Sequence, residues 1–401
     1  MEVRLPIGYG NLVTHTYPSA NISPGYSAQV VAISAYGCRD SINVNVPVYP
    51  LPTASFIITN ACVNYPATFT DNSVNGVKYS WDFGDGTNSN NVGTTNHTYT
   101  VPGMYNVQLI VESGTSCPDT FNATVAVHPS PVADFNFTNM CDGLSIPLNN
   151  TSNISSGTIA GWDWNYGDGS THGNTQNSSH LYASCGTYNV TLIATSDSGC
   201  VDTVSKTVEV YPNPVADFSV TEECLGFTTQ FTDNSTIQCN NVNGSIVNYN
   251  WDFDDGNNSG AQNPTHNYAA FGNYNSTLIV TSNYGCKDSI TKPVNVYDNP
   301  PSDFVADTNG GCAPVCVTFT ANGGTPAPGM SYLWNYGDDS NGSGINSTHC
   351  FQNTGLSTKY FNITLTTVMN YGTKQCTTVT TKNNFISAYP QPIAEFDWSP
   401  G

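Results

Sequence analysis

Hydrophobic and polar residues alternate along many short stretches of the chain. Tyr105, Val107, Leu109 and Val111 occupy every second position of one stretch, and residues 188–194 follow the same alternation. A period of two places the alternate residues on one face of a β-strand. Clusters of turn-forming residues separate these stretches about every ten residues. The pattern therefore predicts many short strands and no long helix.

A phrase that begins with tryptophan and ends in an acidic, glycine-rich turn recurs along the chain. The four tryptophans that open it are Trp81, Trp164, Trp251 and Trp334. They lie 83, 87 and 83 residues apart. A downstream Gly-x-Tyr-Asn phrase and a closing proline-rich phrase return at a similar interval, which indicates tandem repeats.

These phrases divide the chain into four complete repeats, numbered 1 to 4 below. Their bounds are 51–130, 131–213, 214–300 and 301–391. Residues 1–50 match only the second half of a repeat, and residues 392–401 match only its beginning. We therefore expect the sequence to be a slice of a longer protein. Short strands around a central tryptophan favour an all-β fold, with one two-sheet sandwich per repeat.

Cysteines recur at two positions of the repeat, and a domain of this size gains much from a cross-link. The early positions hold Cys62, Cys141, Cys224 and Cys312, and the late positions hold Cys117, Cys200, Cys286 and Cys376. Pairing within each repeat predicts the bonds Cys62–Cys117, Cys141–Cys200, Cys224–Cys286 and Cys312–Cys376. Closing each loop stabilises the fold by about 4 kcal/mol in the chain-entropy model.

Five further cysteines stand outside that scheme. Cys316 and Cys350 share repeat 4 and are predicted to pair. Cys185 and Cys239 lie in neighbouring repeats, where a bond between them would cross the joint. Cys38 holds the late position of the partial first repeat, so its partner is expected upstream. A zinc site is disfavoured because the chain has no CxxC pair, and disulfides indicate an oxidising compartment.

Charge is scarce and lopsided. Only 9% of the 401 residues are charged, with 29 acidic against 9 basic side chains and a net charge of −20. Nucleic-acid binding needs clustered Lys and Arg, and an anionic membrane surface also attracts basic residues. No stretch approaches the roughly 20 apolar residues of a membrane helix. We expect neither nucleic acid nor membrane insertion for this segment.

Acidic side chains cluster at the turn after each tryptophan. They are Asp82, Asp85, Asp252, Asp254 and Asp255. Because they return at one hairpin position, we interpret them as turn residues, since Asp and Gly tolerate positive φ. Calcium binding is the alternative, because carboxylate oxygens suit that ion. However, Asn165 and Asn335 replace Asp in two repeats, and no spacing matches an EF-hand. No other cofactor is indicated.

Five of the seven histidines fall at one repeat position, just before an aromatic residue. They are His15, His97, His180, His266 and His349. A metal site needs several ligands in one place, so we interpret one histidine per repeat as a packing residue. No nucleophile elbow or phosphate-binding loop accompanies them. The sequence therefore predicts no enzyme.

Two patterns indicate glycosylation. Asn189, Asn275 and Asn362 are sequons at one strand position, and their parity opposes that of the core residues, so they should face solvent. An Asp-Ser/Thr phrase also follows the late cysteine, and its candidate acceptors are Ser41, Thr203 and Ser289. In the alternative interpretation, this Asp caps a turn and the hydroxyl residue merely fills a strand. Sugars would help a chain with so little charge to stay in solution.

The Trp-Asp-Phe-Gly-Asp-Gly phrase at 81–86, the His-x-Tyr phrase at 97–99 and the Gly-x-Tyr-x-Val phrase at 103–107 together resemble the PKD (polycystic kidney disease) family. The resemblance covers the whole chain, although repeat 4 ends its turn with Asp338 and Asp339. It implies tandem immunoglobulin-like β-sandwiches in an extended array. The Asp-Ser/Thr phrases with Ile or Val resemble the O-glycan acceptor motif of secreted proteins of the Bacteroidota type.

PKD repeats resemble spacer and interaction modules of cell-surface and secreted microbial proteins. The resemblance implies a non-catalytic, adhesive repeat region at the cell surface. Its expected partners are other copies of itself or neighbouring repeats in a fibre, and surface glycans or proteins. The alternative is that the repeats are accessory modules of a secreted hydrolase whose catalytic domain lies outside these residues. Fold alone does not decide between the two.

Overall fold

The computed structural model describes residues 15–59, 61–114, 117–322 and 328–393. The chain divides into two compact units, the first comprising Met1–Tyr182 with Thr187–Glu209 and the second Ala183–Gly186 with Val210–Gly401. The regular secondary structure of the described residues is all β-strand. Within those residues, no helix is long and apolar enough to cross a membrane. The predicted all-β, tandem immunoglobulin-like fold is confirmed.

The strands before repeat 2 form one hairpin and the first sandwich. Their bounds are β1 (Asn21–Ile33), β2 (Arg39–Val48), β3 (Phe56–Ile58), β4 (Ala61–Cys62), β5 (Pro66–Asp71), β6 (Lys78–Asp82), β7 (Asn88–Ser89), β8 (Thr95–Thr98), β9 (Gly103–Glu112) and β10 (Pro118–His128). Repeat 2 contains β11 (Phe135–Phe137), β12 (Met140–Cys141), β13 (Ile146–Asn150), β14 (Ile159–Asn165), β15 (Ser178–His180), β16 (Gly186–Ser196) and β17 (Val201–Tyr211).

The remaining strands belong to repeats 3 and 4. Repeat 3 contains β18 (Pro214–Val215), β19 (Phe218–Val220), β20 (Glu223–Cys224), β21 (Thr229–Asp233), β22 (Thr236–Ile237), β23 (Ile246–Asp252), β24 (Asn258–Ser259), β25 (Thr265–His266), β26 (Gly272–Ser282) and β27 (Lys287–Tyr297). Repeat 4 contains β28 (Asp303–Ala306), β29 (Gly310–Cys312), β30 (Val315–Asn322), β31 (Met330–Asn335), β32 (Asn341–Ser343), β33 (Asn346–Phe351), β34 (Lys359–Tyr371) and β35 (Lys374–Tyr389).

Each repeat contains a three-stranded and a larger sheet. In repeat 1 the small sheet has the order β3-β5-β8 and the large one β4-β10-β9-β6-β7. Repeats 3 and 4 use the same orders, and repeat 2 has a four-stranded large sheet, β12-β17-β16-β14. In repeats 1, 3 and 4, the short strand that bears the early cysteine pairs in parallel with the last residues of the repeat's last strand.

The cores lie between the sheets, around the recurring tryptophans. Trp81, Trp164, Trp251 and Trp334 are at most 1% exposed, and three of them define three separate apolar clusters in repeats 1, 3 and 4. Each indole N–H donates to a backbone carbonyl, as Trp251 Nε1 does to Ala261 O at 2.8 Å. The alternation predicted for residues 105–111 is present, because Val107, Leu109 and Val111 are fully buried. Each tryptophan is thus enclosed by its own repeat.

The segment that begins the small sheet is fastened to the last strand of the repeat, which belongs to the large sheet. In repeat 3, Ala216 N donates to Asp288 Oδ2 at 2.8 Å, and Lys292 Nζ donates to Phe218 O at 2.5 Å. Lys292 also lies over the Phe218 ring at 5.3 Å from its centre. Equivalent lysines over phenylalanines occur in repeats 2 and 4. The sequence analysis did not identify these contacts.

Candidate functional site: the joints between repeats

Two disulfides between repeated cysteine positions connect neighbouring repeats and do not close loops inside a repeat. Cys62 of repeat 1 bonds Cys200 of repeat 2 within the first unit. Cys224 of repeat 3 bonds Cys376 of repeat 4 within the second unit. The predicted pairs Cys62–Cys117, Cys141–Cys200, Cys224–Cys286 and Cys312–Cys376 are therefore wrong. Cys312 is an exposed thiol, whereas Cys141 and Cys286 are both disulfide-bonded.

Strand length explains the error. In repeat 1 the late cysteine, Cys117, directly precedes β10, and the early cysteine, Cys62, pairs with His128 at the other end of that strand. Eleven strand residues span about 35 Å, whereas a disulfide needs Cα atoms about 4.4–6.8 Å apart. The Cα atoms of Cys62 and Cys200 are 5.8 Å apart. Counting residues along the predicted strand would have revealed that the two positions lie at opposite ends of a sandwich.

The late cysteine ends a turn whose geometry recurs. In repeat 2, Gly199 N donates to Ser196 O at 3.0 Å, and Cys200 N donates to Ser196 Oγ at 3.0 Å. Gly199 has φ of 84°, a left-handed conformation that glycine adopts without strain. In the bonded state Cys200 is only 1% exposed. The turn therefore presents a fixed cysteine that becomes buried when it is joined to the preceding repeat.

Aromatic stacking accompanies the cystine in the second unit. Tyr297, the last residue of β27, stacks on Tyr371 of repeat 4 with ring centres 4.6 Å apart and an angle of 18°. Tyr371 Oη donates to Asp298 O at 3.1 Å. Lys374 Nζ pairs with Glu223 Oε2 beside Cys224. A covalent bond, a ring stack and an ion pair thus hold the same joint, and only the cysteines had been singled out from the sequence.

A second stack in the same unit uses equivalent positions. Tyr211, the last residue of β17, stacks on Tyr284 at 4.0 Å and 9°. Tyr284 lies in a Tyr-Gly-Cys turn that ends at Cys286. The tyrosine that closes one repeat therefore packs on the turn that bears a late cysteine. In the sequence, this contact is indicated by a tyrosine that recurs directly after the last valine or alanine of a repeat, as at Tyr211, Tyr297 and Tyr389.

The other predicted bonds are present. Cys316 and Cys350 are directly opposite each other on β30 and β33, with Cα atoms 3.8 Å apart, and they form a disulfide. Cys185 and Cys239 are also bonded, within the second unit, with Cα atoms 6.0 Å apart. Cys38 is an exposed thiol.

The recurring histidines pack against aromatic rings and pair with the acidic turn. In repeat 2, His180 stacks on Tyr166 at 4.0 Å, and its Nε2 lies 2.7 Å from Asp168 Oδ2. Ser170 donates to Asp168 Oδ1 through both its backbone N–H and its hydroxyl. The same arrangement occurs around His97, His266 and His349, whereas His15 packs edge-on against Tyr17. The packing interpretation therefore fits four of the five histidines together with their turns.

Hydrogen bonds set the acidity of these turn carboxylates. Burial on its own raises the pKa of Asp168, but the bonds from Ser170 and His180 outweigh burial and lower the pKa to about 2. The pKa values of Asp85, Asp255 and Asp338 are lowered by the same balance of burial and hydrogen bonding. A carboxylate held ionised and fully hydrogen-bonded is a poor proton shuttle near neutral pH. This geometry favours a structural role.

The remaining turn carboxylates also bind backbone. Asp82 Oδ1 accepts from Gly84 N at 2.9 Å, and Asp252 Oδ1 accepts from Asp254 N at 3.0 Å. Asp254 has φ of 66° where repeat 1 has Gly84, and its Oδ2 accepts from Asn275 N at 2.8 Å. In the described part of the chain, no three His, Cys, Asp or Glu side chains converge as metal ligands.

The candidate glycosylation residues lie on the surface. Asn189, Asn275 and Asn362 are exposed and alternate with buried residues of β16, β26 and β34. Asn189 accepts through Oδ1 from Thr207 Oγ1, and Asn362 accepts through Oδ1 from Asn384 N. These bonds occupy the amide oxygens of Asn189 and Asn362, whereas a sugar would attach to the amide nitrogen. Glycosylation itself stays a prediction.

The Asp-Ser/Thr phrase has a structural role through its aspartate. Asp119, Asp202 and Asp288 each accept from the backbone N–H of an alanine near the start of the same repeat, at 2.8 Å in each case. The hydroxyl residues Ser41, Thr203 and Ser289 are exposed. The Asp therefore fastens the first strand, while the neighbouring hydroxyl is accessible to a modifying enzyme.

The chain is similar to known PKD domains. The PKD domain family matches residues 44–128, 128–212 and 211–297. Among curated proteins, the pre-pro-metalloprotease PrtV of Vibrio cholerae serotype O1 is 30% identical over 168 residues, which are 42% of this chain and 18% of that protein. The chain thus spans less than a fifth of the length of that relative.

Two solved structures are similar to single repeats. The PKD1 domain of Vibrio anguillarum Epp is 32% identical and covers 20% of this chain and 93% of its own length, with a TM-score of 0.19. The PKD1 domain of the Vibrio cholerae metalloprotease PrtV is 36% identical and covers 20% of this chain and 96% of its own length, with a TM-score of 0.19.

Proposed function

The chain belongs to the PKD domain family, and on that premise we propose that it is a non-catalytic structural and adhesive repeat region of an extracellular, glycosylated surface protein or filament. The observation that carries this proposal is the pair of cystines that join repeat to repeat, Cys62–Cys200 and Cys224–Cys376. Disulfides persist in oxidising compartments and are rare where thiols are kept reduced, which supports an extracellular location.

The joints supply a mechanism for a structural role. A pull on one repeat passes to the next through the Cys224–Cys376 bond as well as through the backbone linker. The Tyr297–Tyr371 stack and the Lys374–Glu223 pair oppose bending at the same place. Inside each sandwich the tryptophan is sealed from solvent. Such repeats transmit force and present their outer faces to other molecules.

Glycosylation is the second part of the proposal. The sequons at Asn189, Asn275 and Asn362 and the hydroxyls of Ser41, Thr203 and Ser289 are exposed. Intact-mass measurement of the chain from its native source tests this part. We expect mass above that of the polypeptide, removed in part by Asn→Gln changes at the three sequons, and a mass equal to that of the polypeptide would refute it.

A second function is favoured by the similarity to PrtV, whose name describes a metalloprotease. In that case the repeats would be accessory modules of a secreted hydrolase. The two functions differ in where the protein is found. Antibodies against repeat 3, used with gold labelling in electron micrographs of the producing cells, should decorate surface fibres if the adhesive proposal holds.

Fractionation of the culture supplies the opposing result. If the labelled chain is released as free particles that co-purify with hydrolase activity, the accessory function stands and the surface proposal fails. A preimmune serum controls the labelling, and a protease inhibitor during fractionation controls for release by cleavage.

A further inference from the structure

Repeat 4 has a disulfide on its outer surface. Cys316 and Cys350 are bonded directly opposite each other on β30 and β33, and both residues are exposed. The cystines that join the repeats, called the joint cystines below, differ from this bond. In them Cys200 is 1% exposed, Cys224 is 3% exposed and Cys376 is fully buried. The Cys316–Cys350 bond is therefore far more accessible to a reagent in solution.

The alternation of the two strands places this bond outside. On β30, Val315 and Val317 are buried on either side of Cys316. On β33, Phe351 is fully buried next to Cys350. Successive side chains of a strand point to opposite faces of the sheet. The apolar neighbours therefore belong to the core, and the cystine faces solvent.

The same position of the sandwich is exposed where a neighbouring repeat is attached. In repeat 1 the equivalent residues are Pro66 and Thr98, which lie opposite each other on β5 and β8. Pro66 lies three residues before the core residue Phe69, and Cys316 has the same spacing to Phe319. Both Pro66 and Thr98 are exposed, although repeat 2 is bonded to repeat 1 through a joint cystine. A neighbouring repeat therefore leaves this surface uncovered.

Other contacts hold the two strands together beside the cystine. β30 and β33 are aligned over six residue pairs. The hydroxyl oxygens of Thr318 and Thr348 are 3.0 Å apart on the same outer face, and the rings of Phe319 and Phe351 pack with their centres 6.2 Å apart inside the core. We therefore expect repeat 4 to stay folded when the surface bond opens, whereas opening a joint cystine releases one sandwich from the next.

We propose that Cys316–Cys350 is a thiol-exchange site, at which a low-molecular-weight thiol of the glutathione class attaches to repeat 4 while the joint cystines persist. Exposed disulfides are generally the labile ones, whereas buried structural disulfides resist reduction. The site belongs to the surface of a single repeat, so its reactivity is expected under either of the two functions considered above.

The reaction is a thiol–disulfide exchange that needs only the incoming thiol. A glutathione thiolate attacks the Cys350 sulfur, a new S–S bond forms there, and the bond to Cys316 breaks. The electron pair leaves on Cys316 as a thiolate, which takes up the proton that glutathione lost. A second glutathione thiolate then attacks the glutathione sulfur of the mixed disulfide and releases the Cys350 thiolate, which is protonated in turn. The cystine is thereby reduced to two thiols, and two glutathione molecules are oxidised to one glutathione disulfide.

The test treats the whole folded chain with reduced glutathione after its free thiols have been blocked with N-ethylmaleimide. Samples taken over time receive a second, isotopically labelled maleimide and are mapped by mass spectrometry. We expect the glutathionyl group or the labelled maleimide to reach Cys316 and Cys350 at least about tenfold sooner than either joint cystine. Circular dichroism recorded in parallel should not change while this surface bond opens.

The double variant C316S/C350S is the control for the site. It should take up no glutathione in the time that modifies the wild-type protein, and it should keep both joint cystines. Three results would overturn the proposal: joint cystines that open as fast as Cys316–Cys350, opening of Cys316–Cys350 only where circular dichroism shows unfolding, or equally fast uptake of glutathione by C316S/C350S. None of these results bears on where the native protein is found, so the surface labelling described above tests the proposed function separately.

Discussion

At the scale of single residues, two side chains in each repeat stabilise the packing of the sandwich. One is the tryptophan, which fills the space between the sheets and satisfies its indole N–H on a backbone carbonyl. The other is the histidine that stacks on the aromatic ring of the turn and pairs with its aspartate. Both are internal, so we expect their loss to change stability and not binding.

Replacement of Trp251 by alanine should be among the most damaging changes in repeat 3. Trp251 is fully buried against Phe218 and Phe231. Loss of a buried tryptophan costs about 3–5 kcal/mol through lost burial and the cavity that remains. Calorimetry should show one unfolding transition shifted down, whereas F271A, at a 57% exposed site, should leave every transition in place. An unshifted W251A profile would contradict the packing described.

Acid should weaken repeat 2 through Asp168. The pKa of Asp168 is about 2 in the folded protein against an ordinary value of 3.8. Between these two pH values the folded state therefore holds fewer protons than the unfolded chain. The stabilisation is complete above about pH 4 and is lost as the pH falls towards 2. We expect D168N to unfold about 1–2 kcal/mol more easily at pH 7, through lost charge-assisted hydrogen bonds.

The same variant should also show a smaller loss of stability between pH 4 and pH 2 in urea titrations. D163N is the matched control, because Asp163 pairs with His172 on the surface, with both side chains about half exposed. Exposed pairs contribute less than about 1 kcal/mol. Equal acid sensitivity of wild type and D168N would show that Asp168 does not supply the effect.

At the scale of elements, the hairpin after the tryptophan forms the edge of the large sheet in repeats 1, 3 and 4. In repeat 1, β6 pairs with β7 across this turn, and Gly84 and Gly86 both have positive φ. They differ in surroundings, since a Cβ on Gly84 would lie 2.6 Å from Asn106 O, whereas a Cβ on Gly86 would meet nothing within 4 Å. The two glycines therefore separate backbone strain from steric contact.

G84A should destabilise repeat 1 by about 2–4 kcal/mol, because the left-handed backbone and the clash with β9 add together. G86A should cost only about 1 kcal/mol, since it has the backbone strain alone. Urea unfolding of the two variants checks the difference. Equal losses would mean that the turn relaxes away from Asn106 and that close approach does not matter.

The sequence revealed the strands more fully than the contacts between them. Alternation identified the strand of Val107, Leu109 and Val111 because burial on one face leaves a period of two. The pairing of His180 with Asp168 was not predicted, since the two residues lie 12 positions apart and meet only when the sheets close. The lysine over Phe218 was missed for the same reason: its partner is 74 residues away.

At the scale of the whole molecule, the cysteines show where local reasoning fails. Their spacing gives two positions per repeat, which is compatible with pairing inside a repeat or between repeats. The length of β10 excludes pairing inside repeat 1, because Cys117 and Cys62 lie at opposite ends of that strand. Within each unit, the early cysteine instead meets the late turn of the next repeat. Within each unit, two individual sandwiches are thus joined covalently.

Non-reducing peptide mapping of the folded chain, with free thiols blocked before digestion, tests that description most directly. It should yield one fragment pair joined through Cys62 and Cys200 and another joined through Cys224 and Cys376. Cys38 and Cys312 of monomeric protein should appear as blocked thiols. Fragments joined through Cys62 and Cys117, or through Cys224 and Cys286, would instead show that the repeat concerned is closed on itself and would contradict the joints Cys62–Cys200 and Cys224–Cys376.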